Sequence, residues 1–155
     1  MKACFIGHRT IEKTEELIVT LKETVVKLIR TGVTDFLFGG KSTFDSLSWE
    51  VVTELKKEYP YIKRVYVRAV YRDIEQSYEE YLRKLYDETY FPYKIEKAGK
   101  YAYVERNCEM IDSSTYCVFY YNEGYCAQLG RNSGTKVAYK YAQKQKKEII
   151  NLCKE

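Results

Sequence analysis

The sequence predicts an α/β protein built on a parallel sheet wound with helices. Short runs of β-branched and aromatic residues alternate with longer segments whose apolar residues recur at helical spacing, reading β-α-β-α-β from the N-terminus. The first strands stop at glycine, at Gly7 and at Gly39-Gly40, where a strand-to-helix turn is needed. With 155 residues and 45% hydrophobic content, the chain can bury the core of one domain and is too apolar to be disordered.

Taken in order, Lys2-Ala3-Cys4-Phe5-Ile6 is the first strand and Gly7-His8-Arg9-Thr10 its turn. From Thr14 to Arg30, Leu17, Leu21, Val25 and Leu28 mark one helical face; Glu15 and Glu16 suit its start, and Gly32 serves as its C′ residue. Asp35-Phe36-Leu37-Phe38 is the second strand. A second helix over Thr43 to Tyr59 carries Phe44, Leu47, Val51 and Leu55 on one face, with Ser42 and Asp45 at capping-box spacing and Pro60 as a stop. Ile62 to Tyr71 alternates as the third strand, and Glu75 to Glu88 reads as a helix. Thr89 to Lys100, with Pro92 and Gly99, reads as a loop. Tyr101, Val104, Cys108 and Ile111 predict another helix, ending near Ser114. Thr115 to Tyr121 is the fourth strand, Lys136 to Lys147 a helix, and Glu148 to Leu152 the fifth strand.

Several classes are excluded at this level. No uncharged run approaches the ~18 residues of a membrane span, and the apolar start is too short for a signal peptide, so a soluble cytoplasmic protein is expected. The five cysteines, at 4, 108, 117, 126 and 153, form no C-x-x-C pair; with a single histidine, no metal site is expected, and no cofactor. The net charge of +4 is concentrated in residues 131–155, which hold seven Lys/Arg against two acids. Tyrosine is also clustered, with 15 of 17 between Tyr59 and Tyr125; Tyr90, Tyr93 and Tyr125 fall in expected loops, where they are candidates to stack on a base.

In a doubly wound sheet, strand-to-helix loops share the carboxyl edge, and ligands bind where strand order reverses. Three such loops are small and polar: Gly7-His8-Arg9, Gly39-Gly40-Lys41-Ser42 and Arg131-Asn132-Ser133-Gly134-Thr135. Backbone N–H groups, the positive end of a helix dipole, the Thr135 hydroxyl and the cations Arg9, Lys41 and Arg131 together describe a site for a phosphorylated ligand. His8, in its turn, is expected to be open to that ligand, and Asp45 lies at the same edge. None of the loops is a Walker A or a G-x-G-x-x-G sequence.

These motifs resemble a known family. Phe5-Ile6-Gly7-His8-Arg9 is similar to the F-x-G-H-R opening of the YpsA-like branch of the SLOG superfamily, which includes DprA and the lonely-guy proteins. Gly39 to Asp45 with Glu54 to Pro60, Arg106-Asn107-x-x-Met110-Ile111-Asp112-Ser113-Ser114, and Ser133-Gly134-Thr135 with Tyr141-Ala142 resemble that branch's later motifs in the same order. The resemblance implies a Rossmann-like sheet of about five strands ordered 3-2-1-4-5, one SLOG-like nucleotide-binding domain over residues 1–155, and a nucleotide or nucleotide-derived ligand. It adds Arg106 and Asn107 to the ligand-binding set.

Enzymes of this superfamily are phosphoribohydrolases, which cleave the base–ribose bond of a nucleoside monophosphate. The resemblance gives Arg106 a catalytic role if this chain is an enzyme. The chain departs from them at Asn107, where they carry lysine, and at Ala138, where they carry the catalytic glutamate. Ser133 and Thr43 also replace glycines of the closer branch. Alanine neither stabilises an oxocarbenium ion nor activates water, so hydrolysis would need Asp45, Glu105 or Glu109 in its place. The sequence therefore favours a nucleotide-binding sensor or regulator, with N-glycosidic hydrolysis as the alternative. Self-association is compatible with the sequence. A nucleic-acid module using Lys136, Lys140, Lys144 and Lys147 is a weaker third reading, since a charge of +4 is modest for such a binder.

Overall fold

The computed structural model describes residues 1–124 and 133–154. Strand β1 (Lys2–Gly7) sends Ala3 and Phe5 into one core cluster and Cys4 and Ile6 into another, so both faces of the sheet are covered. Helices α1 (Glu15–Thr31) and α2 (Thr43–Lys56) cover the first face. Leu17, Leu21, Val25, Leu28 and Ile29 of α1 are buried there, each contributing about 1.5–3 kcal/mol relative to exposure. Thr14 caps the start of α1 by accepting from Leu17 N at 3.1 Å, and Gly32, at φ 117°, ends it in the left-handed region that glycine tolerates.

Beyond β2 (Asp35–Phe38) and β3 (Lys63–Val67) come α3 (Gln76–Leu85), β4 (Glu88–Tyr90), α4 (Ala102–Ser113), β5 (Tyr116–Tyr120), α5 (Gly134–Lys144) and β6 (Glu148–Asn151). Met110 and Ile111 of α4 and Ala138 and Ala142 of α5 cover the second face. The six strands are parallel throughout, in the order β4-β3-β2-β1-β5-β6. Strand order reverses between β1 and β5, where Gly7 lies opposite Tyr120.

The five expected strands keep their predicted order, and β4 is an addition at the edge beside β3. It lies where the sequence reads as the end of a helix and the start of a loop. Asp87 is drawn to β3 instead, accepting from Arg64 N at 2.8 Å and Arg64 Nε at 3.1 Å, while the Thr89 hydroxyl donates to Tyr66 O at 2.9 Å. The third strand is correspondingly shorter than expected. Its neighbour β2 stops at Phe38, so residues past Val67 have no ladder partner on that side and turn away as a loop. Helix α2 ends at Lys56, before Tyr59. Helix α5 begins at Gly134 and ends at Lys144, leaving Lys147 outside it.

Candidate functional site

The turns after β1 and β2, the inner face of α4 and the start of α5 enclose a cleft of about 720 Å³ at the carboxyl edge of the sheet. Its lining includes Gly7, His8, Arg9, Gly39, Gly40, Lys41, Ser42, Asp45, Arg106, Asn107, Ser133, Gly134 and Thr135, residues drawn from every motif singled out in the sequence. Arg131 lies outside the described residues, as does Tyr125. The cleft sits at the strand-order reversal, where open α/β sheets hold ligands.

Its floor is formed by two buried side chains of opposite charge, Asp45 and Arg106, each hydrogen-bonded to the Gly39 backbone. Ser42 caps α2 by accepting from Asp45 N at 2.9 Å, which fixes Asp45 in the first turn with its carboxylate facing the preceding loop. That carboxylate accepts from Gly39 N at 3.0 Å and Gly40 N at 2.9 Å. The Gly39 and Gly40 amides are therefore already occupied, contrary to the expectation that they await an anion. Arg106, 6% exposed, donates from Nη1 to Gly39 O at 2.7 Å and Val67 O at 3.2 Å, and from Nε to Asn107 Oδ1 at 3.0 Å. A β-carbon at Gly39 would lie 2.7 Å from the Arg106 guanidinium carbon, so only glycine lets that group approach. Burial raises the Asp45 carboxyl to about 6, against the opposing pull of the two amides and Arg106; burial also lowers the Arg106 guanidinium.

The opposite wall is the start of α5. Ser133 is its N-cap, accepting from Lys136 N at 3.0 Å. The N–H groups of Gly134 and Thr135 and the hydroxyl of Thr135, a residue only 6% exposed, have no hydrogen-bond partner among the described residues. They face the cleft at the positive end of the helix dipole. Arg9 contributes its carbonyl to Thr43 N and Oγ1, at 2.8 and 2.9 Å, and its guanidinium has no partner among the described residues. With Lys41, Lys100 and Arg106 also present, Asp45 is the one carboxylate against four cations in the described lining.

His8 departs from expectation. It is 2% exposed, and its Nε2 accepts from Asn122 N at 2.8 Å, tying the turn after β1 to the one after β5; burial lowers its pKa. It lines the cleft from a buried position and is not exposed as expected. Tyr90 and Tyr93 are absent from the described lining, since Tyr90 packs into the second core cluster and Tyr93 lies under the Arg72 guanidinium. The aromatic residue that does line the cleft is Tyr103. Its hydroxyl accepts from Lys41 Nζ at 2.8 Å, and the Arg106 guanidinium lies 5.7 Å from its ring centroid. The available signal was its position three residues before Arg106, which puts both on one helix face. Lys100 was likewise missed.

Among the described residues no group of three or more His, Cys, Asp or Glu could hold a metal ion, and no helix is long and apolar enough to cross a membrane.

Comparison with known proteins follows the same lines. The family model described as the YspA SLOG family matches residues 6–154. The X-ray structure of the structural-genomics target TM1055 superposes with a TM-score of 0.58 at 14% identity, covering 96% of this chain and 72% of the other. DNA processing protein A from Helicobacter pylori, described for its single-stranded DNA binding mode, superposes with a TM-score of 0.59 at 16% identity. That match covers 96% of this chain but only 63% of DNA processing protein A. At these identities the two structures speak for the fold alone. No curated protein matches the chain by sequence.

Proposed function

Because this chain belongs to the YspA SLOG family, we propose that residues 1–155 act as one domain that binds a nucleotide or nucleotide-derived small molecule, in a sensor or regulatory role. Family membership supports a binding role in general. One observation carries the finer reading. The Gly134 and Thr135 donors at the start of α5, without partners among the described residues, share a cleft with the Arg9 guanidinium, which likewise has none there. A phosphate oxygen there would accept from these donors while meeting the helix dipole and the cation. Isothermal titration against AMP, ADP and ADP-ribose tests this. We expect saturable binding to at least one of them, and silence across the panel from folded protein would overturn the proposal.

A specific observation keeps hydrolysis as the second reading. Of Asp45, Glu105 and Glu109, only Asp45 lines the cleft, and a carboxyl raised to about 6 is suited to proton transfer near neutral pH. Glu109 is held by Lys94 at 2.8 Å, away from the cleft. Incubation with nucleoside monophosphates would then release free base, and Asp45→Asn would stop the release. Absence of free base from all the common nucleotides eliminates this reading.

A further inference from the structure

A second cavity, of about 540 Å³, adjoins the cleft and shares Lys41, Tyr103 and Arg106 with it. It is formed by the loop that follows β3 and the start of α3, a longer carboxyl-edge loop that mixes apolar, aromatic and charged residues. Tyr66, Tyr71, Tyr78 and Tyr103 line it together with apolar Val70 and Ile74. At the joint between the two spaces, Gly40 (φ 86°) has no side chain, and a β-carbon there would lie 2.7 Å from the Tyr66 ring. The Lys41–Tyr103 hydrogen bond and the Arg106 guanidinium form a cationic partition between the compartments.

We infer that the two cavities form one bipartite site, and that its ligand carries two ring systems bridged by phosphate, the chemistry of a dinucleotide. The inference rests on the nucleotide-binding reading and deepens it. Each compartment alone falls within the ~300–1,000 Å³ of a small-molecule site, so a single nucleoside phosphate leaves one of them unfilled. The compartments also differ in character. The first offers unpartnered donors and an excess of cations, suited to phosphate. The second sets Asp73 and Glu75 among its tyrosines, acceptors suited to ribose hydroxyls or an exocyclic amine, and its own cation, Arg68, donates from Nη1 to the Tyr71 and Arg72 carbonyls. Its rings are stacking surfaces, and they have support. Tyr66 is stacked on Tyr86 with centroids 5.0 Å apart, and Tyr78 on Tyr81 at 6.3 Å. A bridging phosphate at the partition would meet Lys41, whose ammonium remains able to donate beyond Tyr103.

Titration with AMP, ADP and diadenosine diphosphate tests this, because the last adds one adenosine to ADP. We expect diadenosine diphosphate to bind about tenfold tighter than ADP or better, the range that stacking one base supplies. Tyr71 and Tyr78 are 71% and 42% exposed, so Tyr71→Ala and Tyr78→Ala leave the fold intact, which melting temperature verifies. Each variant should lose most of the dinucleotide increment and keep the affinity for ADP. If ADP binds and diadenosine diphosphate binds no tighter, or if its advantage survives both substitutions, the bipartite site is refuted while the nucleotide reading stands. If none of the three binds to folded protein, the nucleotide reading itself has failed and takes this inference with it.

Discussion

Gly134→Val separates ligand binding from folding. At Gly7, Gly39 and Gly40 an added β-carbon would meet Phe44, Arg106 and Tyr66 at 2.6–2.7 Å, so substitution there damages packing whatever the site does. At Gly134 a β-carbon meets nothing within 4 Å, and the residue opens α5 without a positive φ. The protein's own packing therefore does not demand glycine at this position. Replacing glycine by valine inside a helix gains a few tenths of a kcal/mol in propensity, so the melting temperature should stay within about 2 °C of the parent. Gly134 lines the cleft, so on the proposed reading an isopropyl group there competes with phosphate for the space beside the Gly134 and Thr135 donors, and nucleotide binding should be lost. Thr135→Ala removes one hydroxyl contact to a charged group, about 1.5–3 kcal/mol, and should weaken binding by roughly one to two decades. Titration of both variants, with thermal melts as the folding control, reads the outcome. A folded Gly134→Val protein that binds nucleotide as tightly as the parent would refute the assignment of α5 as the phosphate end.

Asp45 and Arg106 make two further predictions, and the lysines a third. Asp45 is raised from its ordinary 3.8 to about 6, so the folded state holds the proton more tightly than the unfolded chain. Its contribution is complete below pH 3.8 and is lost as pH rises through 6; this is worth about 3 kcal/mol, and urea denaturation across that window should show the decline in the parent and not in Asp45→Asn. Arg106→Ala takes the shared donor away from the Gly39 and Val67 carbonyls and removes the positive charge near Asp45, so it should destabilise by about 2–4 kcal/mol in urea. Arg106→Lys should recover less than half of that, since an ammonium lacks the planar fork that spans those acceptors. In filter binding at low and physiological salt, single-stranded DNA should be retained weakly at most. Lys136 is paired with Glu123, and Lys147 lies off the helix, so a salt slope steeper than about −2 would revive the nucleic-acid reading.

The elements legible in the sequence are those whose signals are local. Leu17, Leu21, Val25 and Leu28 specify their helix face without reference to the rest of the chain, as do the Thr14 and Ser42 caps. β4 was not legible because it has three residues and no alternation, and it forms by docking on β3 through the distant Arg64–Asp87 pair. The cleft was legible in membership because the carboxyl-edge rule gathers strand-to-helix loops wherever the helices lie. Individual roles were harder to read. A carboxylate three residues past a capping serine ordinarily bonds the cap's own N–H, whereas Asp45 reaches further back, to Gly39 and Gly40, and fills amides that otherwise look vacant. Tyr103 was hidden among the many tyrosines, which the sequence alone does not rank.

The Arg106 tie also decides how ligand binding would register across the molecule. One guanidinium joins the end of β2, the end of β3 and α4, and Asp45 adds α2, so the cleft floor cannot open without unpicking buried contacts in four elements. A ligand that binds this folded arrangement and not the unfolded chain is linked to global denaturation. At a hundredfold excess over Kd, linkage adds about 2.7 kcal/mol, which for a chain of this size raises the melting temperature by roughly 5–11 °C. Thermal-shift screening of a metabolite library, with no prior assumption about the compound, is therefore a sensitive route to the natural ligand.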